Sequence, residues 1–353
     1  MITIDISDKN GVLASFPAAS GQRLLQAGLA AGLGLPHECA TGTCGNCKAT
    51  VVSGEVRRLW PNAPGAKVCR NPAETLLCQS AADGPVALTL RAAFTPPCDP
   101  PCAVMRGTLS RTRVLTPEIS SFTVTLDDPI AYKPGQFVLI SGLDVNGPRA
   151  YSMTEHQPQK SELSFLIRKD PAGAFTGALF NDSSTSHEVS VFGPLGRATF
   201  SSDEDRPFIA IAGGSGIAGV LAILDHALAK DHFEKHPSHI FFGLRDAESG
   251  YLLDELSSAV VRSERRLRVT VAFSNVPCSA ELAARYPSLD FAGGFVHDVV
   301  RASFDAGSSS GLAQMKSPLF FVAGPPIMVN ATLRVLVAER RISPTEIRYD
   351  RFG

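Results

Sequence analysis

Apolar positions alternate with polar ones in MITIDI and GVLASFPA at the start of the chain, and this period of two predicts a hairpin-like pair of strands. The next segment, SGQRLLQAGLAAG, changes to helical spacing, with Leu24, Leu25 and Ala27 on one side. From about 104 to 202 the pattern returns to short strands separated by turn signals: RGTLSRTRVL, SFTVTL, GQFVLI, RAYSMT, ELSFLIRK and HEVSVFG. Strands at this spacing predict an antiparallel barrel, with one helix near GAFTGALFN. Residues 203–353 alternate apolar strand-length runs (FIAIAGG, HIFFGLR, RLRVTVAFS, PLFFVAGPP, EIRYDRFG) with helices, which predicts a doubly wound parallel sheet. The run FIAIAGGSGIAGVLAIL (208–224) is interrupted by four glycines and reads as strand, turn and buried helix, not as a membrane span.

The 353 residues suffice for two or three domains. With 33 Lys+Arg against 34 Asp+Glu, total charge points to neither nucleic acid nor a membrane surface as a partner. The N-terminal MITIDISDKNG carries acids and lacks an apolar run, so no signal peptide is expected. Eight cysteines in this setting indicate a reducing cytoplasm and metal or redox use, not a disulfide scaffold.

Three of those cysteines fall within CATGTCGNC: Cys39, Cys44 and Cys47. Zinc sites take cysteines as separated short pairs, whereas C-x4-C-x2-C is the plant-type [2Fe–2S] spacing and requires a fourth thiol well downstream. Cys78, in the apolar stretch ETLLCQS and separated from Cys47 by thirty residues, is the choice over Cys69, which lies in the charged stretch KVCRNPAE. Gly42 and Gly45 let backbone N–H groups turn toward the sulfurs, where they stabilise added negative charge. On these residues, segment 1–95 resembles a plant-type ferredoxin, which implies a β-grasp fold. TPPCDPPC, with four prolines, reads as a linker over 96–103. Cys69, Cys98, Cys102 and Cys278 are assigned no cofactor role.

In RAYSMT, strand alternation places Arg149, Tyr151 and Met153 on one face and Ser152 on the other. An Arg-x-Tyr-Ser on a strand is by itself usually an ordinary surface strand. With PGQFVLI before it and GAFT (173–176) and GPLG (193–196) after, the set resembles the flavin domain of the ferredoxin–NADP reductase superfamily. The resemblance implies that Arg149 grips a phosphate, Tyr151 lies on the flavin ring and Ser152 bonds its edge. Gly173, Phe175 and Thr176, at a helix start, would meet the pyrophosphate.

GGSGIAG holds a formal G-x-G-x-x-G at Gly214, Gly216 and Gly219, preceded by Gly213. No clear acidic residue ends the second strand, so the ordinary dinucleotide fingerprint is not well met. The companions GLR (Gly243, Arg245) and AGPPIM (Gly324, Pro325) make the trio similar to the nicotinamide domain of the same superfamily. That family often has Cys where this chain has Ala323. The order of segments resembles the reductase components of multicomponent bacterial oxygenases, of the phenol hydroxylase and benzoate dioxygenase types. The implied domains are 1–95, 104–202 and 203–353, and the implied cofactors are a [2Fe–2S] cluster, FAD and NADH. Ser152 and Phe352 are the implied catalytic residues, with Phe352 covering the flavin opposite Tyr151. A preference for NADH is expected from Asp246 beside Arg245. The implied partner of this cytoplasmic monomer is a terminal oxygenase or hydroxylase component, or an intermediate ferredoxin. A self-contained reductase of a small-molecule acceptor and a redox sensor are the competing readings. A sensor needs no nicotinamide site, and no further substrate domain is evident. Segment 1–95, with 8 basic and 6 acidic residues, shows no strong acidic docking face.

Overall fold

The computed structural model describes residues 1–351 except 158, 182–185, 202, 248–249, 277, 307–311 and 313–314. The first strands are β1 (Ile2–Ser7) and β2 (Leu13–Ala18), antiparallel from Ile2 opposite Ala18 to Ser7 opposite Leu13. Their inward side chains Ile4, Ile6 and Phe16 are fully buried, against Leu24 and Leu25 of α1 (Leu24–Ala30). Each such side chain gains about 1.5–3 kcal/mol from leaving water. β3 (Lys48–Ser53), β4 (Val56–Arg58), β5 (Glu74–Leu76), β6 (Ser80–Ala82) and β7 (Val86–Leu90) follow. The sheet order is β2-β1-β7-β3-β5, with β1 parallel to β7, while β4 and β6 form a separate antiparallel pair. This is a β-grasp arrangement.

The middle of the chain holds β8 (Ala103–Val114), β9 (Ile119–Ile130), β10 (Phe137–Gly142), β11 (Val145–Ser152), β12 (Lys160–Arg168), α2 (Ala174–Asn181) and β13 (Ser186–Leu195). The strands form one sheet in the order β11-β10-β13-β8-β9-β12. An isolated antiparallel bridge joins Met153 to Phe165.

The last segment runs β14 (Phe208–Gly213), α3 (Ile217–Ala229), β15 (Ser238–Leu244), α4 (Leu253–Arg262), β16 (Leu267–Phe273), α5 (Ala280–Arg285), β17 (Asp290–Gly293), α6 (Val296–Asp305), β18 (Leu319–Gly324), α7 (Pro326–Leu333) and β19 (Ile347–Arg351). The six strands are parallel in the order β17-β16-β15-β14-β18-β19. β14 is buried along its whole length, as a central parallel strand covered by helices on both faces must be. The strand order reverses between β14 and β18, and a sheet of this kind binds ligands beyond the carboxyl ends at such a point.

By contact density the chain groups into two compact units: 1–107 with 137–151 and 188–195, and 108–136 with 152–187 and 196–353. Among the described residues no helix is long and apolar enough to cross a membrane.

Candidate functional site

In the first unit, the loop between α1 and β3 carries Cys39, Cys44 and Cys47, and Cys78 stands on a single helical turn, Leu77–Gln79, between β5 and β6. The N–H of Leu77 donates to the Cys47 carbonyl at 3.0 Å and holds that turn against the loop. The four sulfurs stand as two pairs: Cys39 and Cys44 at 3.3 Å, Cys47 and Cys78 at 3.2 Å. A disulfide would be about 2.05 Å, and two thiolates on one tetrahedral metal at about 2.3 Å lie roughly 3.8 Å apart. The pairs are thus close to the spacing that one metal ion per pair requires. Among the described residues no three His, Cys, Asp or Glu side chains converge on one ion. Two thiols per metal, with the remaining positions supplied by bridging sulfide, is the donor set of a binuclear cluster.

The N–H groups of Thr41 and Cys44 point at Cys39 Sγ (3.4 and 3.3 Å), and that of Asn46 at Cys44 Sγ (3.4 Å). The loop reaches this shape because Gly42 and Gly45 take φ values of 95° and 83°. A Cβ on Gly42 would lie 2.8 Å from Gln79 Cγ, and one on Gly45 2.9 Å from Val68 Cγ1. The hydrogen bond from Cys44 draws the Cys39 thiol down to about 4, against burial and with help from Thr43 and Thr41. Cys44 and Cys78 are pushed up, first by the hydrogen bond each shares with its partner sulfur and then by burial. Cys69 contributes nothing to either pair; it is half-buried, and burial raises its thiol.

Two residues beside the thiols carry no local signal in the sequence. Arg23 Nη1 donates to the Cys78 carbonyl at 2.8 Å and to Gln79 Oε1 at 2.7 Å. Gln79 in turn donates through Nε2 to Thr41 O at 2.8 Å, so one amide ties helix, loop and ligand turn together. The same Arg23 reaches Gly147, where an added Cβ would meet Arg23 Nη2 at 3.2 Å and Arg149 Nη1 at 3.7 Å. Burial lowers the Arg23 pKa, Cys78 opposes this, and Arg149 adds to it. Arg149 is folded over its own turn, with Nη1 donating to Gly147 O (3.1 Å) and Pro148 O (3.2 Å). Burial holds the Tyr151 hydroxyl above its ordinary range, and Arg149 moderates the effect.

In the second unit Ser152 is buried, and a Cβ on Gly219 of α3 would meet its Oγ at 3.6 Å. Gly173, Phe175 and Thr176 sit at the start of α2, where Gly177 N donates to Gly173 O at 2.7 Å. Phe175 is packed in the core. Thr176 Oγ1 accepts from Asp170 N at 3.0 Å, so its hydroxyl braces the preceding turn.

Gly213 ends β14 with Gly214 and Gly216 just after it, and Gly324 ends β18 with Pro325 just after it, on the two sides of the order reversal. Gly216 permits this proximity: an added Cβ would fall 2.6 Å from both Ala323 O and Gly324 Cα. Gly214, by contrast, faces open space. Gly243 and Arg245 flank the end of β15, where the Arg245 carbonyl accepts from Asn275 N at 2.8 Å. Pro325 caps α7. Phe352 lies outside the described residues.

The three segments match three domain families: the 2Fe-2S iron-sulfur cluster binding domain over 7–83, the oxidoreductase FAD-binding domain over 106–200 and the oxidoreductase NAD-binding domain over 210–334. The ferredoxin–NAD(+) reductase component of the alkene monooxygenase system of Xanthobacter autotrophicus is 32% identical over 343 residues, spanning 96% of this chain and 98% of that protein. The reductase component of phenol 2-monooxygenase from a Pseudomonas species is 27% identical over 335 residues, 94% of this chain and 90% of the relative. The solved ferredoxin reductase of carbazole 1,9a-dioxygenase superposes with a TM-score of 0.80 at 27% identity, over 99% of this chain and 98% of the other. Paired thiols in the first unit, a parallel sheet matching an NAD-binding domain family in the second and full-length kinship place the chain in one family: it belongs to the iron–sulfur flavoprotein ferredoxin–NAD(P)+ reductases that serve as electron-transfer components of oxygenase systems.

Proposed function

We propose that this chain oxidises NADH and delivers single electrons to a protein, either the terminal oxygenase or hydroxylase component or an intermediate ferredoxin. The observation that carries the reading is the pairing of Cys39 with Cys44 and of Cys47 with Cys78. A reductase that served a small organic acceptor at its flavin would have no use for a one-electron centre. A flavin, when bound, would supply the chemistry that takes a hydride and releases its electrons singly, and the four thiols would hold a one-electron centre to receive them.

In this reading the four thiolates hold the cluster, and the N–H groups of Thr41, Cys44 and Asn46 stabilise its negative charge. Arg149 and Tyr151 hold the flavin, Ser152 bonds its edge, and the first turn of α2 receives the pyrophosphate through backbone N–H groups. Gly213–Gly216, Gly243, Arg245, Gly324 and Pro325 receive the dinucleotide, with Asp246 disfavouring a 2′-phosphate. The work divides over 1–95, 104–202 and 203–353, joined by 96–103, in a monomer.

The test is cysteine replacement with two acceptors. Cys78→Ser should abolish the visible cluster spectrum and NADH-driven cytochrome c reduction while ferricyanide reduction persists. Cys69→Ser should leave all three intact. Bleaching by Cys69→Ser with Cys78→Ser unchanged would reverse the ligand assignment, and cytochrome c reduction surviving loss of the cluster would remove it from the electron path.

A further inference from the structure

Beside the ligand turn in the first unit lies a groove of about 370 Å³, lined by Arg58, Trp60, Cys69, Arg70 and Gln79 among others. Trp60 is the chain's one tryptophan, and it is 44% exposed at the rim. Among the described residues, no carboxylate lines the groove. Arg58 and Arg70 are exposed, as is Lys67 on the adjoining turn, whereas the nearby Glu74 is completely buried. Arginine and tryptophan around an apolar hollow are the side chains that dominate protein interfaces.

The groove is built onto the cluster site. Its floor residue Gln79 follows Cys78 directly and bonds Thr41 in the cysteine loop at 2.8 Å. Its wall, the turn Pro64–Val68, bonds that loop through Gly65 N to Gly42 O at 2.8 Å. An occupant of the groove therefore sits next to a ligand-bearing turn, on a surface whose charge is positive.

We infer that this groove is the docking surface for an acidic electron-acceptor protein, which presses an apolar side chain on Trp60 and sets carboxylates against Arg58 and Arg70. The inference rests on the reading that electrons leave through the cluster. In the transfer the reduced centre loses one electron, the acceptor gains one, and no proton moves.

Native cytochrome c, a basic protein, and its succinylated form, made acidic on the same haem fold, are suitable probes. At low ionic strength the succinylated form should be reduced at least about fivefold faster than the native one, and added salt should erase the difference. Arg58→Glu/Arg70→Glu should invert the order while ferricyanide reduction and the cluster spectrum hold. Arg58 also donates to Pro72 O at 2.6 Å and Glu74 O at 3.0 Å. A second pair, Lys67→Glu/Arg70→Glu, leaves those bonds in place and should shift the ratio the same way. If either folded variant keeps the wild-type ratio, the groove is not the docking surface, although electrons still leave through the cluster. If neither cytochrome is reduced while ferricyanide is, the electron route itself is overturned, and the groove with it.

Discussion

Replacing Arg23 with Gln should make the cluster harder to reduce. Arg23 Nη1 stands 2.8 Å from the Cys78 carbonyl oxygen, and that oxygen is roughly 4 Å from its own sulfur by covalent geometry, so the donating nitrogen is within about 7 Å of the sulfur. At an effective dielectric constant near 20, a unit charge at about 7 Å stabilises an added electron by roughly 2.4 kcal/mol. Arg23 is half-buried, and solvent on its open side reduces this to about 1–2 kcal/mol, or roughly 50–100 mV for one electron. The reduced state is the one stabilised, so removing the charge moves the midpoint to a more negative value. Arg23→Lys keeps the charge, loses the fork to Gln79, and should recover most of the potential. A dye-mediated redox titration followed by electron paramagnetic resonance reads the midpoint. A midpoint within about 20 mV of wild type for Arg23→Gln, with the cluster spectrum intact, would refute the argument.

Gly216→Ala should force the ends of β14 and β18 apart, since every atom its Cβ would meet within 2.7 Å is backbone; a cost of about 1–3 kcal/mol and at least a tenfold rise in KM for NADH are expected, with an unchanged cluster spectrum. Gly219→Ala, whose Cβ would make ordinary contacts at 3.5 and 3.6 Å, is the matched control and should unfold no earlier than wild type. His239 is buried on β15, with Nε2 at 2.8 Å from Thr270 Oγ1. Burial first, then Arg268, draws its pKa down to about 3, so between pH 6.5 and 3 the unfolded chain holds a proton that the folded one refuses, and stability falls as pH drops through that window. From pH 7 to 5 wild type should lose about 2 kcal/mol more than His239→Gln in urea unfolding, and identical losses would show that His239 does not stay neutral.

What the sequence made legible followed from how local each signal is. The alternation in MITIDI and the apolar run FIAIAGG became β1 and β14, because burial on one face or on two leaves periods of two or none. The three-residue strands β5 and β6 and the ligand turn between them were unreadable, since three residues carry no period. α5 and β17 were equally invisible. Arg23 escaped because its partners Cys78 and Gln79 lie 55 and 56 positions away, and only the packed fold brings them together. The cysteines were easier, as three of four share one loop. Thr176 shows the opposite limit: GAFT marked the helix start, but nothing local showed that the hydroxyl would turn back to Asp170.

Glu74 constrains how this chain can diverge. It is wholly buried, yet it accepts from Lys48, Arg91 and the Arg70 amide. Loss of the acid strands the largely buried Lys48, and loss of either cation leaves the acid short of a donor. Neutral drift at any one of these positions is therefore blocked until a compensating change arrives at another. Lineages should be found with the set intact or with several members exchanged together, and positions 48, 74 and 91 should covary among relatives. Arg58, which donates to the Glu74 carbonyl, is free of that coupling at its side-chain charge. Evolution can thus retune the charge facing a new partner while the framework beneath it stays fixed.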